Sequence, residues 1–182
     1  MNLSGIREFA KAAEGKIGHV YIHWTAGHYG QQFTDYHILV DADGTLIVTV
    51  DDLTTYLKHT YMSNTGAVAI ATLCAYDAHS TDNLGPEPPT DAQIETIAQV
   101  MAVLSEELNL PIDIQHFMTH AEAADNMDGL NPGYEQNGCP DGKYGPNNSC
   151  ERWDFWVIKA RDTPGSGGDI LRGKALWYLY NG

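Results

Sequence analysis

The segment from Ile17 to Gly27 reads IGHVYIHWTAG and has the alternating pattern of a β-strand that runs into a loop. Successive side chains of a strand point to opposite sides, so Val20 and Ile22 fall on one face and His23 falls on the other. His23 therefore lies at the strand end on the less apolar face. We expect it to be exposed there and available as a ligand.

The patterns on either side of this strand predict a small set of further elements. The run Ala67–Ala75 is short, apolar and rich in small residues, which favours a central strand. Thr90 and Gln93 have the spacing of a capping box, and apolar residues recur at helical spacing from there to Leu108. The remaining expected elements are a helix at 4–13, strands at 36–40 and 45–50 joined by a turn at 41–44, a strand at 114–118 and a helix at 169–180.

Two segments look irregular. Residues 125–149 are rich in Gly, Pro and Asn, and a loop of this length usually carries function or covers a site. Within it or beside it, Cys139 and Cys150 could form a disulfide bridge, whereas Cys74 reads as a small buried apolar residue. The glycines of 165–168 predict a flexible link before the last helix.

Composition narrows the class of protein. The 182 residues suit one domain, with a core at about 17–158 and a helical extension at 165–182. Acidic residues outnumber basic ones 24 to 10, which argues against nucleic acid or an anionic membrane as a partner. No run of apolar residues is long enough to cross a membrane. We see no signal peptide at the N-terminus and expect synthesis in the cytoplasm.

Two histidines and one aspartate stand in segments that look suited to present them: His23 at its strand end, His120 after the predicted strand 114–118, and Asp154 in the aromatic stretch 151–156. Two imidazoles and one carboxylate form a set of three zinc ligands that leaves a fourth position open to water, as in hydrolytic sites. The three residues are far apart in sequence, so only the completed fold can bring them together.

Five segments, taken in order, resemble the zinc-dependent N-acetylmuramoyl-L-alanine amidases of the type shared by phage lysins and peptidoglycan recognition proteins. They cover most of the chain between about residues 17 and 158. The segments are HWTAG at 23–27, DYHILVDADG at 35–44, NTGAVAI at 64–70, THAEAA at 119–124 and RWD at 152–154.

The resemblance implies an α/β fold with a central mixed β-sheet flanked by helices and a zinc groove over the sheet. It implies a hydrolase that cleaves the amide bond between N-acetylmuramic acid and L-alanine of peptidoglycan. His23, His120 and Asp154 match the zinc ligands. We expect the protein to work as a monomer on the cell wall after its release, as an endolysin or a wall-remodelling enzyme.

The same resemblance suggests roles for other residues around a zinc-bound water. Tyr36 matches a catalytic tyrosine, and Arg152 falls where relatives carry a side chain that faces the substrate carbonyl; both would stabilise the tetrahedral intermediate. His59 would contact the substrate, and Asn64 and Thr65 would either bind the stem peptide or cap a turn.

One position departs from the family pattern. Some relatives carry a glutamate general base in the central strand, where this chain has Ala71, so Tyr36 and the metal should take more of that task. Glu122 is a possible substitute, although an acid at a helix start is the plainer interpretation.

Several alternatives stay open at this stage. His116 is the substitute if His120 is not a ligand, and Cys139 and Cys150 are rival third ligands because thiolates also suit zinc. A peptidoglycan-binding module without catalysis is the main alternative function. A zinc peptidase is less favoured, because the sequence has no His-Glu-x-x-His motif.

Overall fold

A five-stranded sheet forms the centre of the protein, whose computed structural model describes residues 1–60, 63–124 and 152–182. The strands are β1 (His19–Trp24), β2 (Ile38–Val40), β3 (Leu46–Val48), β4 (Ala67–Thr72) and β5 (Phe117–Thr119). The helices are α1 (Leu3–Ala12), α2 (Asp91–Leu108), α3 (His120–Ala124) and α4 (Gly167–Asn181).

The sheet is mixed, with the strand order β3-β2-β4-β1-β5. β2, β4, β1 and β5 run parallel, and β3 pairs antiparallel with β2 at one edge. Every residue of β4 is buried, which confirms the predicted central strand. The chain crosses from β4 through α2 to β5, on the far side of β1. The predicted α/β class with a mixed sheet and flanking helices is confirmed.

The helices pack on one face of the sheet, and the main apolar core lies between them and that face. In-register neighbours such as Ile22 and Ile70 point into this core, where Ile97 of α2 and Leu171 of α4 also lie. The opposite face carries His23 and Ala71, which are neighbours in β1 and β4. This second face holds only smaller apolar clusters and is the face on which the polar residues described below converge.

α2 begins where the capping box predicts. The Thr90 hydroxyl accepts from the Gln93 backbone N–H, and the Gln93 side chain accepts from the Thr90 N–H. The Gln93 amide also donates to the carbonyls of Val40 and Leu73 at 3.1 Å each. A buried glutamine thus ties the start of α2 to the ends of two strands, which orients the helix on the sheet.

β5 is shorter and later than predicted. The structure places Ile114–His116 in a turn, because the Asp113 carboxylate accepts from the backbone N–H groups of Gln115 and His116 at 2.9 and 3.0 Å. A side chain that caps its own turn competes with strand formation. The strand therefore begins at Phe117.

The predicted flexible link at 165–168 is wrong for its last two residues. Gly167 and Gly168 are buried at the start of α4, where a side chain would collide with the Phe155 carbonyl and with the Glu122 carboxylate, respectively. Glycine allows this close approach because it has no Cβ. The packing brings α4 against the sheet rather than leaving it as an appendage.

Arg172 of α4 connects this helix to the start of β5 and to α3. Its guanidinium donates to both carboxylate oxygens of Glu122 at 2.8 and 2.9 Å and to the Phe117 carbonyl at 2.9 Å. Arg172 and Glu122 are both buried.

Among the helices of the described segments, none has both the length and the apolar character needed to cross a bilayer.

Candidate metal centre

Three side chains from distant parts of the sequence converge on one point. His23 Nδ1 lies 3.1 Å from His120 Nδ1 and 3.3 Å from Asp154 Oδ2, and His120 Nδ1 lies 3.1 Å from Asp154 Oδ2. Within the described part of the chain, these residues form the group of metal-ligating types whose ligand atoms lie close enough to share an ion. The predicted ligand residues therefore do come together.

His23 is held near the carboxyl end of β1, between the neighbouring strands β4 and β5. The expectation that it would be exposed is wrong, since its exposed fraction is 0%. The rings of His120, Tyr36 and His59 lie 4.6, 5.1 and 5.4 Å from its own ring. Strand alternation alone could not predict this, because the covering residues come from loops and from α3.

His120 is the first residue of α3, directly after β5. The start of this helix is fixed by a reciprocal pair, in which the Thr119 N–H donates to Glu122 at 2.9 Å and the Glu122 N–H donates to the Thr119 hydroxyl at 3.2 Å. Arg172 donates to both oxygens of the same Glu122 carboxylate. Glu122 therefore fixes the helix start that presents His120.

Asp154 lies between two aromatic residues in the sequence, Trp153 and Phe155, whose rings pack against Trp24 of β1. The Trp153 ring lies 4.8 Å from the Trp24 ring, and the Phe155 ring lies 5.4 Å from it. Phe155 has a φ of +57°, so the backbone turns sharply just after Asp154. Because Trp24 directly follows His23, this aromatic packing sets the Asp154 carboxylate beside the His23 imidazole.

The site favours neutral imidazole and ionised carboxylate. Burial lowers the pKa of His23 to about 4, although Asp154 partly opposes the shift. For Asp154, burial acts to raise the pKa, but the charge and hydrogen bonds of His120 and His23 outweigh it, so that the pKa falls below its usual range. Neutral histidine and ionised aspartate are the forms that bind metal ions.

The geometry of the three atoms fits zinc. A tetrahedral ion with ligand bonds of about 2.0–2.1 Å has ligand atoms roughly 3.3–3.4 Å apart. The three distances, 3.1 to 3.3 Å, are close to that spacing. Hydrogen bonds explain the arrangement less well. The two Nδ1 atoms and the carboxylate oxygen form a nearly equilateral triangle, and one N–H cannot point along two of its sides at once.

A groove of about 470 Å³ opens beside His120. It contains His59, Asn64 and Arg152 from the predicted site, together with His120. Tyr56, Lys58 and Thr60 also line it. No pattern in the sequence marks these last three as groove residues, because their residue types are common on surfaces and in loops.

Asn64 and Thr65 have different surroundings. Asn64 is buried, and its side-chain oxygen accepts from the backbone N–H groups of His59 and Thr60 at 3.0 and 2.8 Å. It therefore caps this turn, which was one of its two predicted roles. Thr65 is exposed and lies outside the set of residues that line the groove. Contact of either residue with substrate stays a prediction.

Tyr36 lies just before β2, with its ring against His23. Burial raises the pKa of its phenol, and the nearby Asp154 carboxylate raises it further. The phenol is therefore a proton donor at neutral pH. Its neighbour His37 serves the fold, since its Nδ1 accepts from the Ala69 N–H and its Nε2 donates to the Thr55 carbonyl.

The remaining candidates are placed away from the metal centre or outside the described residues. Ala71 is buried against Leu39 and Leu73 and pairs in register with His23, so this position presents an apolar surface to the neighbourhood of His23. His116 bonds to Asp113 at 2.7 Å and is not part of the converging group. Cys139, Cys150 and the predicted loop at 125–149 fall outside the described residues.

Comparison with known proteins agrees with the site. A family model described as N-acetylmuramoyl-L-alanine amidase matches residues 13–140, well over half of the chain. The chain therefore belongs to the N-acetylmuramoyl-L-alanine amidase family, which confirms the predicted enzyme class and peptidoglycan as its substrate. No curated relative matches the sequence.

Solved structures show more distant likeness. An endolysin N-acetylmuramoyl-L-alanine amidase, LysCS from Clostridium intestinale URNW, is 15% identical over 59% of this chain and 71% of its own, with a TM-score of 0.46. The peptidoglycan recognition protein PGRP-Hd from Alvinella pompejana is 9% identical over 77% of this chain and 80% of its own, with a TM-score of 0.41. The assignment to the family rests on the family model.

Proposed function

We propose that this amidase is zinc-dependent and that His23, His120 and Asp154 hold the ion. The observation that carries the proposal is the triangle of two imidazole nitrogens and one carboxylate oxygen, with sides of 3.1 to 3.3 Å. A zinc ion bound there would lower the pKa of a water molecule to roughly 7 and polarise the amide carbonyl of the substrate.

The protein contributes a site that is already shaped for this charge. His23 is buried and neutral, and Asp154 is buried and ionised, so neither group must change its protonation state to bind a divalent cation. The His23 Nε2 atom is also engaged, at 3.2 Å from the Thr60 hydroxyl. Such an outer bond fixes the ring and selects its tautomer.

Tyr36 and Arg152 are proposed to act on the substrate carbonyl. The raised pKa of Tyr36 keeps its proton on the phenol, which can donate a hydrogen bond to the oxygen as negative charge develops there. Arg152 lines the groove together with His120 and brings a permanent positive charge to it. Both groups favour the tetrahedral state over the planar amide, because that state carries more charge on oxygen.

The groove offers the surface for the rest of the muropeptide. Lys58 and Arg152 are cationic, Tyr56 is an exposed aromatic, and His59 and Asn64 supply polar groups. A stem peptide carries carboxylates and amides, which these side chains can pair with. With Ala71 in the place of a glutamate, no strand carboxylate can accept a proton there. Tyr36 would act as a hydrogen-bond donor, and a bound metal ion would supply the activation of water.

Mass spectrometry of products from defined muropeptides, with and without a chelator, tests this proposal. We expect release of an intact stem peptide whose new amino terminus is L-alanine, its loss after chelation, and its return with added zinc. Binding without any product would show a binding module instead. A new amino terminus inside the stem peptide would show a peptidase.

A further inference from the structure

Thr60 connects the metal centre to the groove through two imidazole rings. Its hydroxyl oxygen lies 3.2 Å from His23 Nε2 and 3.0 Å from His59 Nδ1. Thr60 is 3% exposed, and the Asn64 side chain holds the backbone N–H groups of both Thr60 and His59. The three groups therefore form a fixed chain of hydrogen bonds, in which His23 and Thr60 are buried and His59 is half-buried.

Two arrangements of protons keep the Thr60 hydroxyl hydrogen within this chain. A third, in which both rings donate to the hydroxyl oxygen, would leave the hydroxyl hydrogen without an acceptor, because the two rings are its only hydrogen-bond partners among the described residues. In the first, His23 Nε2–H donates to Thr60, and Thr60 donates to His59 Nδ1. In the second, His59 Nδ1–H donates to Thr60, and Thr60 donates to His23 Nε2. The second arrangement puts the His23 proton on Nδ1, where it would block that nitrogen from binding a metal ion.

Ligation of a metal ion by His23 Nδ1 thus selects the first arrangement. His59 must then carry its proton on Nε2, because its Nδ1 accepts from Thr60. That Nε2 atom is buried and has no hydrogen-bond partner among the described residues, while His59 itself lines the groove. A buried N–H without an acceptor is costly, so its acceptor should come from the bound molecule.

We propose that Thr60 is a positioning residue that links metal binding to substrate binding. Its hydroxyl holds His23 in the tautomer that binds the ion and fixes His59 as a donor toward an amide carbonyl oxygen of the muropeptide. The proposal rests on the proposed zinc-dependent function, since it needs His23 as a ligand. It adds a residue whose hydroxyl acts through two imidazole rings rather than on the ion itself.

Substitution of Thr60 provides the first test, with metal affinity as the readout. Thr60→Val keeps the shape and removes the hydroxyl, and Thr60→Ser keeps the hydroxyl. Zinc affinity, measured by competition with a chelator, should fall about 10–100-fold in the valine variant, the usual effect of losing an outer partner. The serine variant should retain the parent affinity. Equal affinity in the parent and the valine variant would overturn the role of Thr60.

A second measurement separates the contact of Thr60 with His23 from its contact with His59. His59→Ala should raise KM for a soluble muropeptide while zinc affinity stays at the parent value. Thr60→Val should raise KM as well as weaken zinc binding. If KM is unchanged in Thr60→Val under saturating zinc, the link from Thr60 to the substrate is refuted.

The parent protein itself allows a test that needs no variant and no activity. NMR of isotopically labelled imidazole nitrogens identifies which nitrogen of His59 carries the proton. In the zinc-loaded protein we expect the proton on Nε2, and a proton on Nδ1 would overturn the inference. Failure of the parent to bind zinc at all would instead refute the proposed function, so the two failures are distinguishable.

Discussion

The two faces of the sheet are stabilised in different ways. On the helix-covered face, side chains such as Ile22 and Ile70 pack into one large apolar core with α1, α2 and α4. On the opposite face, His23 lies among the polar groups of Asp154 and Thr60. Adjacent residues of one strand therefore serve two purposes, and substitutions on the two faces should affect different properties.

His23→Ala should give the largest effect and the clearest separation of the faces. We expect loss of zinc and a fall in activity of roughly three orders of magnitude or more, because metal catalysis supplies several kcal/mol. Ile70→Ala is the matched control on the other face and should cost about 2–5 kcal/mol of unfolding free energy with zinc affinity unchanged. Metal analysis, activity assays and urea unfolding measure these effects. Full activity in His23→Ala would contradict the ligand assignment.

The ion pair between Arg172 and Glu122 links the two faces through α4 and α3. Arg172→Met should lower the free energy of unfolding by about 3–5 kcal/mol, because it leaves a buried carboxylate without its partner. Arg7 pairs with Glu106 and Glu107 while its side chain is 42% exposed, so Arg7→Met should cost at most about 1 kcal/mol. Urea unfolding compares the two variants. Equal losses would show that burial of the pair has no energetic consequence.

Arg152→Ala should affect turnover without affecting the fold or the metal. Loss of one group that stabilises charge in the transition state typically lowers kcat by about 100–1000-fold. Zinc content, checked by elemental analysis, should equal that of the parent. Loss of zinc from this variant would count against a role at the substrate carbonyl.

Acid should lower the stability of the zinc-free protein, because protons would bind to histidines on the sheet face that carries His23. Burial lowers the pKa of His23 from 6.5 to about 4, and the pKa values of His37 and His59 are lowered in the same direction by burial. Between pH 6.5 and about pH 4 the unfolded chain binds more protons than the folded chain. The free energy of unfolding is therefore highest above pH 6.5 and decreases as the pH falls toward 4. His23 alone would contribute a loss on the order of 3 kcal/mol.

Urea unfolding of the zinc-free protein at several pH values checks this expectation. His59→Gln removes one of the three histidines and should make the decline with acid shallower. Constant stability down to pH 4 would mean that the buried histidines take up protons without cost to the fold.

Elements with local signals could be predicted from the sequence. The reciprocal bonds of Thr90 and Gln93 depend on residues three apart, so the start of α2 was predictable. The buried strand β4 was predictable from its unbroken apolar run. The residues that meet at the candidate metal centre were predicted from their types and segments and from the resemblance to a family, and the structure brings those three together.

Features that depend on distant contacts could not be predicted. The burial of His23 depends on Thr60 and Tyr36, which come from loops that follow the strand. The pair of Arg172 and Glu122 joins residues 50 positions apart. No local pattern marks such contacts, because Thr, Arg and Glu are mostly found on solvated surfaces.

The wide spacing of the converging residues has a kinetic consequence. His23 is 97 residues from His120 and 131 residues from Asp154, so the site closes only when most of the chain has found its place. Contacts over such separations form late. A bound ion would then stabilise the folded state but not the transition state for folding. It would therefore slow unfolding and leave the rate of refolding unchanged.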